Sequence, residues 1–193
     1  MPLSRRALLS VALVSPVAAA SEDAVRTERG LGSAKARLTA VEYFSLTCPH
    51  CAAFTTEAFP ELRTRWITPG RLRWVFYDFP TDVAALQAAM VARYLPADRY
   101  ERFIGTLFAN QDRWVFGAGS VADSLWPLAA DAAMERATFD RALADDSLRD
   151  WIVGRALDAQ KRWHVDATPS FVINGKLYTG AMSVSQFAII LGG

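Results

Sequence analysis

The sequence is poor in several residue types, and each shortage removes a class of protein. Its 193 residues hold two cysteines, Cys48 and Cys51, both in one tetrapeptide. A small scaffold stapled by several disulfides is therefore excluded. Two histidines, His50 and His164, argue against a multi-histidine metal centre. The 21 basic and 20 acidic side chains leave a formal charge of +1, so no excess of one sign marks a nucleic-acid surface. No apolar run reaches the ~20 residues needed to cross a bilayer. Repeats and low-complexity tracts are missing, and a 52% hydrophobic composition excludes a disordered or collagen-like chain. What remains is a length suited to one domain with a sizeable core, or one domain carrying an insertion.

The first twenty residues read as an export signal. Arg5 and Arg6 are the only charges before Glu22, and a short apolar stretch from Ala7 to Val17 follows them. Ala18-Ala19-Ala20 then offers the small residues a signal peptidase needs. Ser4-Arg5-Arg6-Ala7-Leu8-Leu9 also resembles a twin-arginine signal, although two arginines serve an ordinary one equally well. The alternative is a buried N-terminal helix. Cleavage after Ala20 is expected to leave a soluble chain of formal charge −1 in the periplasm or another oxidising space.

Beyond Ala20 the chain has two kinds of organisation. Residues 21–36 read as a loose leader. Arg37 to Ser45 is rich in β-branched and aromatic residues and predicts a strand. Cys48-Pro49-His50-Cys51 follows. Phe54, Ala58, Leu62 and Trp66 then recur every four residues as one helical face, which Pro60 should kink or divide. Leu72 to Asp78 reads as a second strand, so the region predicts a right-handed βαβ unit with parallel strands. Residues 82–163 are helical throughout. Val83, Leu86, Met90 and Tyr94 form one stripe, Asp98 with Glu101 suits a helix start, and Ser120 and Ser147 suit two others. Strand character returns in Ser170 to Ile173 and Lys176 to Thr179, joined by the hairpin dipeptide Asn174-Gly175, and Val184 to Leu191 closes with a helix. The expected domain is therefore discontinuous, 37–81 with 164–193, and 82–163 is inserted within it.

The chemistry lies in the dithiol. Cys-x-x-Cys between a strand and a helix is a redox signature. The first cysteine falls at the helix N-terminus, where free backbone N–H groups and the macrodipole favour a thiolate. The second lies one turn on, within bridging distance. Pro49 stiffens the turn and suits the first helical position. His50, as a cation or a hydrogen-bond donor, would favour the Cys48 thiolate further. Lowering a thiol pKa by ~3 stabilises its thiolate by ~4 kcal/mol. That raises the potential of the couple by somewhat under ~90 mV, making it an oxidant. A structural cystine would close too small a loop to constrain much chain. A zinc site lacks ligands. A c-type haem site needs histidine where Ala52 stands.

Val41 to Cys51 (VEYFSLTCPHC) resembles the active-site segment of DsbA-like thiol–disulfide oxidoreductases. Ala167 to Gly175 (ATPSFVING) is similar to that family's cis-proline segment and hairpin, and Asn110-Gln111-Asp112-Arg113-Trp114 falls in its helical insertion. The resemblance covers roughly residues 30–190. It implies an α/β thioredoxin fold with an inserted helical subdomain, and an enzyme whose redox centre is the Cys48–Cys51 pair without further cofactor. It implies that Cys48 is the exposed nucleophile, Cys51 the buried resolving thiol, and Pro169 a cis proline facing them. Thr168 would offer its backbone to an extended client. Reduced or unfolded exported proteins would be the clients, and a DsbB-type quinone-linked membrane protein the regenerating partner.

Further residues carry expectations. Glu42 shares strand parity with Leu38, Ala40 and Phe44, which places a carboxylate on an apolar face. In the resembling family an acid here assists proton transfer at the buried cysteine, which a raised pKa would suit. Trp114, with Val115 and Phe116, is a candidate lining of a substrate groove. Thr168 before Pro169 is a residue that often accompanies isomerases and reductases. Those isomerases carry a separate N-terminal dimerisation domain, and only about 16 residues separate Ala20 from the first strand. The expectation is a monomeric oxidase. The alternatives are an isomerase or reductase of the same fold, or a copper-binding or scaffold domain with a structural cystine.

Overall fold

Alternation along Leu38–Phe44 sends Ala40, Glu42 and Phe44 to one face of a strand and Val41 and Tyr43 to the other. A computed structural model describes residues 22–117 and 119–192 and builds the molecule around this strand. The proposed export segment, residues 1–20, lies outside the described residues. In chain order the described elements are α1 (Glu22–Arg26), β1 (Arg29–Leu31), β2 (Leu38–Phe44), α2 (Pro49–Glu57), α3 (Phe59–Leu62), β3 (Leu72–Asp78) and α4 (Val83–Arg93). Then come α5 (Ala97–Ala109), α6 (Gln111–Val115), α7 (Val121–Asp131), α8 (Arg136–Ala144) and α9 (Asp146–Trp163). β4 (Ser170–Ile173), β5 (Lys176–Thr179) and α10 (Val184–Leu191) close the chain.

The sheet has the order β1-β3-β2-β4-β5. β2 and β3 run parallel, Leu38 opposite Leu72 through Phe44 opposite Asp78, as a βαβ unit requires. The remaining pairs are antiparallel. Asn174 and Gly175 have φ values of 51° and 76°, so the β4–β5 turn uses two left-handed residues in succession, and glycine takes one without strain.

Two layers cover the sheet. On the Ala40–Phe44 face, Phe54 of α2, Phe59 of α3 and Phe187 of α10 pack on Trp74 and Phe171, with ring centroids 4.9 to 6.3 Å apart. Such pairs add about 0.5–1.5 kcal/mol each beyond burial. On the opposite face α9 lays Ala156, Ala159 and Trp163 over Val41, Tyr43, Tyr77 and Val172. The stretch 82–163 is therefore not uniform. Its last helix is also a wall of the sheet, because Tyr43 and Val172 would otherwise face water.

Several local expectations are corrected. Residues 21–36 are not a loose leader among the described residues: Glu22–Arg26 is helical, and β1 pairs antiparallel with β3. Both are too short to persist alone and exist through tertiary contacts. The predicted Val83 stripe is turned, since Val83 is 71% exposed while Ala85, Ala88, Ala89 and Met90 are buried. Tight helix packing favours the small alanines on that face. Pro96, not Asp98, occupies the N-cap of α5, and Asp145, not Ser147, caps α9 by accepting from the Leu148 N–H. Ser120 does form its capping box with Asp123. Pro60 lies in the first turn of α3, where Ala58 separates it from α2, and the chain widens into a π-turn at Arg63–Ile67.

Candidate active site

The two cysteines stand where β2 hands the chain to α2. Cys48 is the N-cap of α2, in extended conformation, and Pro49 occupies the first helical position, exposed. The Cys48 carbonyl accepts from the N–H groups of Cys51 at 3.1 Å and Ala52 at 3.2 Å, which starts the helix. Cys48 is partly exposed, Cys51 is fully buried, and both thiols are free. A helix must turn its fourth residue under its first, so a C-x-x-C motif starting at the cap gives one reachable and one covered sulfur.

The electrostatics of the two sulfurs diverge. A hydrogen bond from the Cys51 thiol, then the Thr168 side chain and the backbone N–H groups of Cys51 and His50, hold the Cys48 thiol down at about 5, against the desolvation of its partly buried site. When protonated, Cys48 donates to the Thr168 carbonyl at 3.2 Å. Burial drives Cys51 far above the ordinary thiol range, helped by the neighbouring Cys48 and by Glu42. The contribution expected from the His50 side chain takes another form: the imidazole is exposed, and it is the His50 backbone N–H that aids the sulfur.

The Thr168–Pro169 peptide is cis, and it brings the Thr168 carbonyl beside Cys48 across 120 residues of chain. Thr168 is partly exposed and Pro169 buried. Glu42 lies below, 3% exposed on the apolar face. The Trp74 indole N–H donates to its Oε2 at 3.0 Å, while Oε1 has no partner. Burial pushes the Glu42 carboxyl up to about 8, partly offset by that indole bond. The structure thus brings together Cys48, Cys51, Pro49, His50, Thr168, Pro169 and Glu42.

It does not bring Trp114 to a substrate surface. That ring is 1% exposed, and its Nε1 donates to the Leu107 carbonyl at 2.8 Å, so Trp114 is a core residue linking α6 to α5. Phe116, two residues on, is the exposed aromatic at 79%. Helical periodicity distinguishes poorly between faces in a five-residue helix, which explains the misreading.

Reading the sequence also missed several groups that hold the reactive turn. The Gln111 amide donates to the Leu46 and Cys48 carbonyls at 2.7 and 3.0 Å. Thr47 donates to Asp82 at 2.6 Å, and Ser45 lies 2.9 Å from the Thr81 hydroxyl. Residues this far apart in sequence leave no local signal; Asp82 is also the N-cap of α4, accepting from the Ala85 N–H at 2.7 Å. A cleft of about 370 Å³ runs beside α2 between Ala53, Phe54 and Ala58 on one side and Met182 and Val184 on the other.

A parallel β2–β3 core, a dithiol opening α2 and a cis proline opposite it define the thioredoxin class. The family profile described as thioredoxin matches residues 24–192, and the chain belongs to that family. A crystal structure of Wolbachia pipientis α-DsbA1 superposes with a TM-score of 0.80 at 27% identity, covering 86% of this chain and 89% of that one. A Rickettsia felis protein provisionally named protein-disulfide oxidoreductase is 26% identical over 159 residues, 82% of this chain and 56% of its own length. The Bacillus subtilis disulfide bond formation protein D is 24% identical over 174 residues, 83% of this chain and 73% of its own. The chain thus spans little more than half the length of its Rickettsia relative. Within the thioredoxin class it has the DsbA-like form, with helices inserted between β3 and β4.

Proposed function

We propose that this protein is a thiol–disulfide oxidoreductase, and that it acts as an oxidase introducing disulfides into exported proteins as they fold. One observation carries the reading: a partly exposed sulfur at a helix start, held low by converging donors, lies 3.2 Å from the carbonyl before a cis proline. The relatives named as disulfide oxidoreductases and the basic-apolar segment of residues 1–20 support the compartment and the clients.

In the proposed cycle the resting protein holds a Cys48–Cys51 disulfide. A client thiolate attacks the Cys48 sulfur, forming a mixed disulfide, and Cys51 leaves as a thiolate. A buried thiolate is unfavourable, so it takes a proton at once, and Glu42, protonated at neutral pH, is the donor beneath it. A second client thiolate then attacks the client's sulfur in the mixed disulfide and releases Cys48 as a thiolate, which its hydrogen-bond donors stabilise. The client loses two electrons and the protein gains them. A DsbB-type quinone-linked membrane protein is the proposed acceptor that returns the disulfide. Thr168 supports a client held by its main chain, independent of client sequence.

The test uses the oxidised protein and a reduced, unfolded client that needs disulfides for activity. Recovery of client activity, with a dithiol potential near −120 mV, supports the oxidase. A potential near that of thioredoxin, about −270 mV, would move the protein to the reductases. Thr168 before Pro169 favours one second reading, an isomerase, which a scrambled-disulfide client would reveal by faster rescue than a reduced one.

A further inference from the structure

The segment Asn110-Gln111-Asp112-Arg113-Trp114 has no part in the exchange cycle, yet it touches the reactive turn. The side chain of Gln111 reaches across to β2's end and donates to the Leu46 carbonyl at 2.7 Å and the Cys48 carbonyl at 3.0 Å. One primary amide carries two N–H donors, so both bonds form together. The opposite amide orientation would set its oxygen against two carbonyl oxygens, so the donor assignment is the only satisfied one. The Cys48 carbonyl is also the acceptor from which the first turn of α2 hangs, through the Cys51 and Ala52 N–H groups. Gln111 therefore grips the reactive turn on both sides of Thr47.

Gln111 can do this because its own helix is anchored. α6 has five residues and cannot hold a position alone. Trp114 is sunk in the core and bonded to the Leu107 carbonyl, and the Asn110 side-chain amide donates to the Thr106 carbonyl at 2.8 Å. The Asn110 carbonyl in turn accepts from the Arg113 and Trp114 N–H groups. A chain of short links thus runs from α5, through α6, to the turn that carries the nucleophile.

We infer that Gln111 is a positioning residue of the exchange site, through which the inserted helices set the reactive turn so that the His50 and Cys51 backbone N–H groups converge on the Cys48 sulfur. Peptide planes are rigid, so fixing the Leu46 and Cys48 carbonyls fixes the turn between them and the cap conformation of Cys48. Without Gln111 the Leu46 carbonyl loses its side-chain donor while the Cys48 carbonyl stays tied to α2, so the turn between them can rotate and carry the donors off the sulfur. The inference deepens the proposed exchange reading, but its primary readout is independent of any client.

The test is a titration of Cys48 in the reduced full-length protein, followed by thiolate absorbance, in Gln111→Leu, Gln111→Asn and Gln111→Glu. Gln111→Leu should raise the midpoint by about one pH unit, with an about tenfold slower reaction toward a small disulfide below that midpoint. Gln111→Asn, with reach for at most one carbonyl, should fall between it and the wild type. Gln111→Glu, placing a carboxylate against two carbonyl oxygens and near the sulfur, should raise it furthest. Arg113→Ala, on the same helix and exposed, should leave the midpoint unchanged. An unmoved midpoint in folded Gln111→Leu or Gln111→Asn, with or without a lower Tm, overturns the inference and makes Gln111 a packing residue. That result would leave the exchange reading intact, whereas absence of client oxidation with a shifted midpoint would do the reverse.

Discussion

Two buried carboxylates sit at the same end of the sheet on neighbouring strands, and they are treated in opposite ways. Asp78 closes β3 with both oxygens served: Tyr100 donates its hydroxyl to Oδ1 at 2.7 Å and Arg93 its Nε to Oδ2 at 2.5 Å. The Arg93 Nη1 goes on to the Val25 and Thr27 carbonyls at 3.0 and 3.1 Å. That cluster joins β3, α4 and α5 to α1 and the residue that follows it, and both Asp78 oxygens have donors. Glu42 in β2 has one donor and one orphan oxygen, and it lies beneath a fully buried sulfur. A satisfied buried charge holds elements in register; an unsatisfied one keeps its proton and stays ready to give it. The first cluster serves the fold; in the proposed cycle the second serves the chemistry.

The largest expected effect falls on the sulfur. Cys48→Ser should abolish oxidation of a reduced client while shifting Tm little, since the site is partly exposed; thermal unfolding beside the client assay checks both. Next comes the satisfied cluster. Arg93→Leu leaves Asp78 buried without its cation and should cost about 3–5 kcal/mol in denaturant unfolding. The Cys48 titration midpoint should nevertheless stay near 5 in that variant. A midpoint that moves with stability would show that the two clusters are one network and would end the comparison.

Glu42→Gln sharpens it from the other side. An acid raised to about 8 in the folded protein is held neutral there, whereas the unfolded chain ionises it near 4.5. Its contribution to stability is complete below 4.5 and is lost as pH rises through about 8. Replacement by a neutral amide should therefore stabilise the protein by about 3 kcal/mol at pH 7 and leave it unchanged at pH 4. The same variant should slow release of Cys51 about tenfold or more in stopped-flow exchange. A pH slope tests the sulfur itself. With Cys48 lowered to about 5, the reduced protein gains stability as pH rises from 5 toward 9, its ordinary value, and loses it as pH falls through 5. Glu42 gives both redox forms the opposite slope, so it is the difference in Tm, reduced minus oxidised, that should rise across that range in thermal unfolding.

Much of the site was legible because it is local. A strand rich in β-branched and aromatic residues, followed by C-P-H-C with proline at the first helical position, places a thiol at a helix start through chain geometry alone. The hairpin at Asn174-Gly175, with β3, β4, β5 and α10, was legible in the same way, through turn residues and apolar runs that need no partner to be recognised. The illegible parts are those that exist only by contact. β1 is three residues long and is a strand because β3 lies beside it. Trp114 has the composition of a groove residue and the position of a core one. Gln111 and Asp82 carry no signal pointing to residues more than thirty places away.

The order of residues by itself determined the dithiol, its seat at a helix N-terminus and the parallel strands flanking that helix, because propensity, capping and a four-residue motif act over a few bonds. Tertiary structure alone decided how completely the second sulfur is covered, which carboxylate is left short of donors, and which distant side chains hold the reactive turn. Those depend on desolvation and on hydrogen bonds across the chain, and neither exists until the sheet and its helices have closed together.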